Sequence, residues 1–160
     1  MPSILKLSQI RIVILWGGIS RLMETKSLEI KEGNVTDNLR AIGALLPLHW
    51  EESARNKQLM VLKPDYDKYK NMDKMGKLLG VFAYYEDVIV GYSVNIIDYH
   101  LHYSDLKVCS NDVLFLDPLF RDTSLGLRLM KTTKELAKSK GAKMMLWHAK
   151  EDTALDKIMQ

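Results

Sequence analysis

One stretch of the chain leaves few folds open: "DVLFLDPLFRDTSLGLRLMKTTKELAKSKGAKMMLWHA", from Asp112 to Ala149. It begins with an apolar run of β type and passes through Asp117 and Pro118 into the polar turn "RDTSLG". From about Ser124 to Lys140 the apolar residues fall at helical spacing, with Leu125, Leu129, Met130, Thr133, Leu136 and Ala137 on one stripe. Gly141 is a natural stop for that helix, and "AKMMLWHA" reads as the next strand. A strand, a turn, a long amphipathic helix and another strand call for a sheet with a helix packed on it. A simple connection would not need Arg121, Ser124 and Gly126 in the turn, so the turn itself is read as a binding element.

The remaining segments supply the rest of an α+β domain. Thr25 to Lys31 alternates weakly as a first strand. Thr36 is placed to cap a helix from Asp37 with Leu39, Ile42, Leu45 and Leu46 on one face. Pro47 interrupts it, leaving His49 to Gln58 as a second helix or a bent continuation. "KPDYDKYKNMDKMGK" is polar and reads as a loop with one or two helical turns. "LLGVFAYYED" and "VIVGYSVNII" form a hairpin turning near Glu86 and Asp87. "YHLHYSDLKVCS" is a connection or strand extension, and Asp152 or Thr153 opens a last helix.

At 160 residues the chain is one domain, long enough to bury a core without disulfides or structural metal. A net charge of +3, with bases and acids interleaved, suits a small anionic ligand better than nucleic acid. Its one cysteine, Cys109, allows no internal disulfide, which points to a reducing cytosol, and reads as a half-buried strand thiol. Residues 1–22 contain no acid, and their apolar run Ile12–Ile19 is far shorter than the roughly 20 residues of a bilayer span. They lack a small-residue cleavage site and are read as an extension outside the fold, with residues 23–160 as the domain.

A helix N-terminus presents unpaired N–H groups and partial positive charge, so a turn that closes round an anion there will hold a diphosphate. Small residues at Ser124 and Gly126 let phosphate approach the backbone, and Arg121 adds charge. The segment resembles the acyl-CoA site of the GNAT superfamily of N-acetyltransferases, whose signature is Arg/Gln-x-x-Gly-x-Gly/Ala between the fourth strand and third helix. Arg121 takes the first place, Ser124 that of the first glycine and Gly126 that of the second, with Pro118 and Phe120 where such proteins often carry "P-x-Y/F-R". The resemblance covers about residues 25–160 and is strongest from Val113 to Lys140.

The resemblance implies a mixed, mostly antiparallel central sheet flanked by helices, and an acetyl-CoA-dependent transfer to a primary amine of a small molecule or protein. It implies that Arg121, Asp122, Thr123, Ser124, Leu125 and Gly126 bind the diphosphate, and that the backbone of Leu114, Phe115 and Leu116 binds pantetheine and polarises the acyl carbonyl. Alternation puts Asp112 on the side of Leu114 and Leu116, near where several members carry a catalytic Glu, as base or water relay. His148, on the fifth strand, is the second candidate to take a proton. "HWEE", His49, Trp50, Glu51 and Glu52, falls where members of the family often form the acceptor pocket. His100 and His102, two imidazoles on one face of a strand, are read as lining the substrate cleft rather than holding a metal.

The chain also departs from the family pattern. The position of the Tyr that protonates the leaving thiolate holds Ile158 or Met159, and the last two strands of the fold are absent, as in a C-terminally incomplete, compact bacterial or phage-type member. Tyr92, Tyr99, Tyr103 or water would then supply the proton, and a homodimer is one way to cover the exposed sheet edge. Ser124, the absent Tyr and the absent strands keep a second reading open, a GNAT-fold interaction or structural module without catalysis. The expectation is a cytoplasmic protein without a membrane or nucleic-acid partner.

Overall fold

The computed structural model of the chain describes residues 27–150 and 153–159. The expectations for residues 1–22, for the first residues of the first strand and for Asp152 lie outside them. Five strands, β1 (Leu28–Gly33), β2 (Leu78–Tyr85), β3 (Val88–Tyr99), β4 (Lys107–Leu116) and β5 (Met144–Leu146), lie side by side in chain order. The first four are antiparallel neighbours, and β5 runs parallel to β4. The architecture is therefore α+β with a mixed, mostly antiparallel sheet, as expected.

The β2–β3 hairpin turns at Glu86 and Asp87, whose φ angles of 46° and 67° give the doubly left-handed two-residue loop that matches strand twist. Helices α1 (Val35–Asn38), α2 (Leu46–Ser53) and α3 (Tyr66–Lys74) precede β2; α4 (Leu125–Ser139) joins β4 to β5, and α5 (Ala154–Met159) follows. The stripe of α4 buries Leu125, Leu129, Thr133 and Ala137 in full. Thr133 donates to the Leu129 carbonyl at 2.8 Å, so its hydroxyl enters the core satisfied. Gly141 ends the helix at φ 88°. Thr153 accepts from the Asp156 amide at 3.3 Å at the start of α5.

The segment after β1 departs from expectation. Asn34, not Thr36, caps α1, accepting from the Asp37 amide at 3.0 Å. Thr36 instead donates its amide to Asp73 of α3 at 2.7 Å, with its hydroxyl on the same carboxylate. The expected single helix breaks into α1, a 3-10 turn at Ala41–Ala44, and α2 with Pro47 in its first turn. Leu39, Ile42 and Leu45 are buried all the same, against Phe82, Tyr92 and Phe115. The sheet thus carries α4 on one face and α1 to α3 on the other.

Candidate active site

The fifth strand is shorter than its sequence suggests, and that opens the site. It pairs with β4 only through Val108–Ser110 against Met144–Leu146. From Asn111 to Leu116 the outer edge of β4 has no strand partner among the described residues; the Asn111 carbonyl faces His148 and the Leu116 carbonyl accepts from Arg121, which leaves the stretch between them without a strand alongside it. In the same place β4 carries a bulge: Val94 pairs with Val113 and Asn95 with Asn111, leaving Asp112 as the extra residue. Beneath it, Asn111 donates its side-chain amide to Asn95 Oδ1 at 3.0 Å and to the Val113 carbonyl at 3.1 Å. Asn95 in turn donates to the Leu79 carbonyl at 3.0 Å. Asn95, Asn111 and Ser93 are all buried, so the bulge sits on a satisfied polar network.

The bulge corrects the alternation expected for Asp112. Val113 and Phe115 pack toward α1 to α3, while Leu114 and Leu116 pack under α4. Asp112 accepts from Tyr69 of α3 at 3.5 Å, on the side of Phe115 and opposite Leu114 and Leu116. His148 lies just past β5 rather than in it, exposed, and its Nδ1 is 2.5 Å from the Asn111 carbonyl. A carbonyl only accepts, so Nδ1 carries the proton and, in the neutral ring, Nε2 keeps its lone pair. Both proton-transfer candidates therefore converge on the bulge.

After β4, Pro118–Phe120 forms a 3-10 turn capped by Asp117, which accepts from the Leu119 amide at 2.9 Å. Thr123 donates to the Phe120 carbonyl at 2.6 Å and accepts from the Leu125 amide at 3.2 Å, so it supplies the cap that Ser124 does not. The amides of Asp122, Ser124, Gly126 and Leu127 have no hydrogen-bond partner among the described residues. Four open N–H groups at one end of a 15-residue helix make a strong anion cradle. Arg121 stands beside it, donating to the Leu116 carbonyl at 2.9 Å and pairing with Glu52 at 2.7 Å, its guanidinium 5.4 Å from the Phe115 ring centroid.

The glycines separate packing from function. A Cβ on Gly91 would lie 2.7 Å from Leu116 Cδ1, and one on Gly80 would lie 2.7 Å from the Gly33 carbonyl oxygen. A Cβ on Gly126 would meet only Leu116 Cδ2, at an ordinary 3.5 Å. Glycine in a helix costs roughly 0.5–1 kcal/mol relative to alanine. Packing explains Gly80 and Gly91; it does not explain Gly126, which leaves room for something outside the chain.

The opposite wall comes from α2 and α3. His49 stacks on Phe115, centroids 4.9 Å apart at 20°, with Nδ1 2.8 Å from the Tyr92 hydroxyl. Burial lowers the His49 pKa below its ordinary 6.5, with Lys150 and Arg121 acting in the same direction against Glu52 and Asp112. Burial also raises the wholly buried Tyr92, and burial and then the Asp112 charge push Tyr69 up to about 12. Both phenols therefore keep their protons and act as donors.

A family model described as "Acetyltransferase (GNAT) family" matches residues 44–156, which span the cleft walls, the bulge and the turn. The chain belongs to the GNAT acetyltransferase family. No functionally curated protein matches the sequence. Among solved structures, an aminoglycoside acetyltransferase from an uncultured soil metagenomic sample shares 15% identity at a TM-score of 0.65, over 83% of this chain and 87% of its own. A ribosomal-protein-alanine N-acetyltransferase from Brucella melitensis shares 10% at 0.61, over 84% and 88%. An aminoglycoside N-acetyltransferase in complex with CoA shares 18% at 0.60, over 83% and 84%. At such identities the likeness establishes the fold.

As a GNAT acetyltransferase the chain transfers an acetyl group from acetyl-CoA, and the open amides above α4, Gly126 and the unpaired β4 edge fit that cosubstrate. Of the residues expected on the acceptor side, His49 reaches Tyr92 and Glu52 pairs with Arg121, whereas Glu51 pairs with Lys57, and Trp50 donates to the Met60 carbonyl, tying α2 to the following loop. His100 and His102 lie in the turn after β3 rather than on a strand, His100 half-buried and His102 exposed, with the His102 amide on His100 Nδ1. At about 3.3 Å per residue from Tyr92 to Tyr99 they stand roughly 20 Å from His49, so they do not line this cleft. Tyr99 and Tyr103 belong to that distant end too. Tyr69 went unnoticed in the sequence because it lies in a polar segment and meets Asp112 only through the fold.

Proposed function

We propose that the protein acetylates a primary amine, with the diphosphate of acetyl-CoA held by the open amides of Asp122, Ser124, Gly126 and Leu127 and the thioester laid along β4 from Leu114 to Leu116. Acetyl-CoA supplies the activated acyl carbonyl; the chain supplies position and proton transfer. The amides at the head of α4 hold the diphosphate, with Ser124 adding a hydroxyl and Arg121 charge. The open β4 edge orients the acyl group and offers N–H groups to the charge that develops on its oxygen. Asp112, held by Tyr69 at the bulge, accepts the proton that the acceptor must lose; His148 Nε2 is the second acceptor there. The structural neighbours are named for aminoglycoside and ribosomal-protein acceptors, both of which present amines.

The observation that carries this reading is Gly126, a helix-opening glycine with no contact in the protein to require it. Calorimetric titration of acetyl-CoA into wild type and Gly126→Asp tests it. The expected result is measurable binding by wild type and a loss of roughly a hundredfold or more in the variant, because a carboxylate at the helix end repels phosphate. Affinity that survives in a folded Gly126→Asp removes the diphosphate from this turn.

A further inference from the structure

Four apolar residues stand in a row on the surface between α2 and α3. Leu59, Met60, Val61 and Leu62 are all exposed, Leu59 to 80% and Val61 to 68%. Single exposed apolar side chains are ordinary, but an unbroken run of them is a liability unless something covers it in use.

The run is held out rather than left to collapse. Asn56 opens the turn: its carbonyl accepts from the Met60 amide at 2.8 Å and its side-chain oxygen from the Leu59 amide at 3.1 Å. The Trp50 indole donates to the Met60 carbonyl and ties the turn to α2. On the far side Asp65 caps α3, accepting from the Lys68 amide at 2.9 Å. The turn is thus anchored at both ends while its apolar side chains meet solvent.

The charges within the turn are of one sign. "RNKQLMVLK", from Arg55 to Lys63, holds three bases and no acid. Lys57 reaches back to Glu51 and lies 5.2 Å from the Trp50 ring, yet its side chain stays half-exposed, and Lys63 is exposed. Beyond Pro64, Asp65 and Asp67 are balanced by Lys68 and Lys70. The turn after β3 makes the contrast: Leu101, 98% exposed, stands alone between two histidines, with Asp98 and Asp105 near it in the chain.

An apolar tip flanked by bases matches the boundary of an anionic bilayer, where aliphatic side chains take the acyl edge and cations take the phosphates. One such tip attaches reversibly, and firm attachment takes a second signal. Residues 1–22 repeat the composition, an apolar run at Ile12–Ile19 with three bases and no acid. That the same pattern occurs twice in one chain favours lipid over a protein groove shaped for one turn. No helix among the described residues is long and apolar enough to cross a membrane, so the contact is with the surface.

We infer that the Leu59–Leu62 turn inserts into the headgroup layer of an anionic lipid surface, with Arg55, Lys57 and Lys63 toward its phosphates. This departs from the expectation of no membrane partner, which weighed a span and not a surface contact.

The test is co-sedimentation of the full chain with vesicles of phosphatidylcholine alone and of phosphatidylcholine with roughly a third phosphatidylserine. The expected result is binding to the anionic vesicles that weakens as salt rises and is at least about tenfold weaker on the neutral ones. The double variant Leu59→Ser, Val61→Ser is expected to lower the partition coefficient about tenfold or more, because two aliphatic side chains no longer enter the lipid. Lys63→Gln is expected to lower it about fivefold. All three positions are exposed, so circular dichroism and the urea midpoint are expected to stay as in wild type. A nitrobenzoxadiazole label on Val61→Cys is expected to brighten and shift to the blue on anionic vesicles, whereas the same label on Leu101→Cys is not. Cys109 is wholly buried, and wild type carried through the labelling gives its background.

Absence of binding to anionic vesicles overturns the inference. So does binding unchanged in the double variant, which would leave attachment to other parts of the chain, and so does a Val61→Cys label that responds no more than the Leu101→Cys one. Equal binding to neutral vesicles overturns it too, because the bases would then have no part. A wild-type dimer in sedimentation equilibrium that the double variant loses also rejects it, since the turn would then cover a second copy of the chain. Acetyl-CoA has no role in these measurements, so this inference and the acetyl-transfer reading fail separately.

Discussion

The face of the sheet under α4 and the face under α1 to α3 are built differently. A single 15-residue helix seals the first, setting Leu129 and Ala137 against Leu79, Val81, Ile97 and Cys109, and Leu125 against Ala83, Val90 and Phe120. The second is covered by three short helices and a 3-10 turn, and among its apolar residues it buries or half-buries His49, Tyr69 and Tyr92. Long regular elements hide their own backbone and need few polar side chains. Short ones leave places where a titratable group sits in a dry setting with a specific partner, which is what proton transfer needs. One face is the regular packing of a single helix; the other carries the residues of the proposed proton transfer, and β4 lies between them.

Substitutions can break this division. The largest effect is expected for Asp112→Asn: kcat falls by about 10²–10⁴ with little change in acetyl-CoA affinity or stability, read by steady-state kinetics, calorimetry and urea unfolding. Unchanged kcat would take Asp112 out of the reaction and leave His148 as the base. Next comes Leu129→Ala on the other face, expected to lower unfolding free energy by about 2–5 kcal/mol, with cosubstrate affinity kept by the molecules that remain folded. A Leu129→Ala protein with native stability but lost activity would erase the distinction between the faces.

Acid sharpens the comparison. The unfolded chain protonates His49 near 6.5, and burial lowers the folded value below that. Between the two values the unfolded state binds more protons, so this stabilisation is whole above about pH 6.5 and is lost as pH falls through the folded pKa. Thermal unfolding followed from pH 7 to pH 5 is expected to show a larger drop in Tm for wild type than for His49→Gln; equal drops would mean that His49 is not held neutral. The smallest effect is Gly126→Ala, expected to raise stability by about 0.5–1 kcal/mol while weakening acetyl-CoA binding. If it destabilises instead, packing holds Gly126 after all.

What could be read in the sequence follows the same division. The α4 stripe, the hairpin at Glu86 and Asp87 and the turn from Arg121 to Gly126 are local patterns, and the structure reproduces them. Leu39, Ile42 and Leu45 were legible as buried but not as parts of separate elements, because spacings of three fit a helix and a 3-10 turn alike and Asp73, which captures Thr36, is 37 residues away. The bulge at Asp112 leaves no signature in "SNDVLFL", so simple alternation assigned the wrong side. His100 and His102 attracted notice by residue type alone, and nothing local reveals which end of a hairpin faces a cleft. Tyr69 gains meaning only from Asp112, 43 residues away in the chain.

The buried asparagines under the bulge bear on how this enzyme could be engineered. Exchanging Asn95, Asn111 and Ser93 together for well-packed aliphatic residues would remove polar groups from the interior, a change that often strengthens a protein against heat. It would also erase the pin that tells β4 where to carry its extra residue, so the two strands could settle one step apart and turn Asp112 away from Tyr69 and from the proton transfer proposed for it. Hardening the molecule at this point would trade catalytic aim for durability.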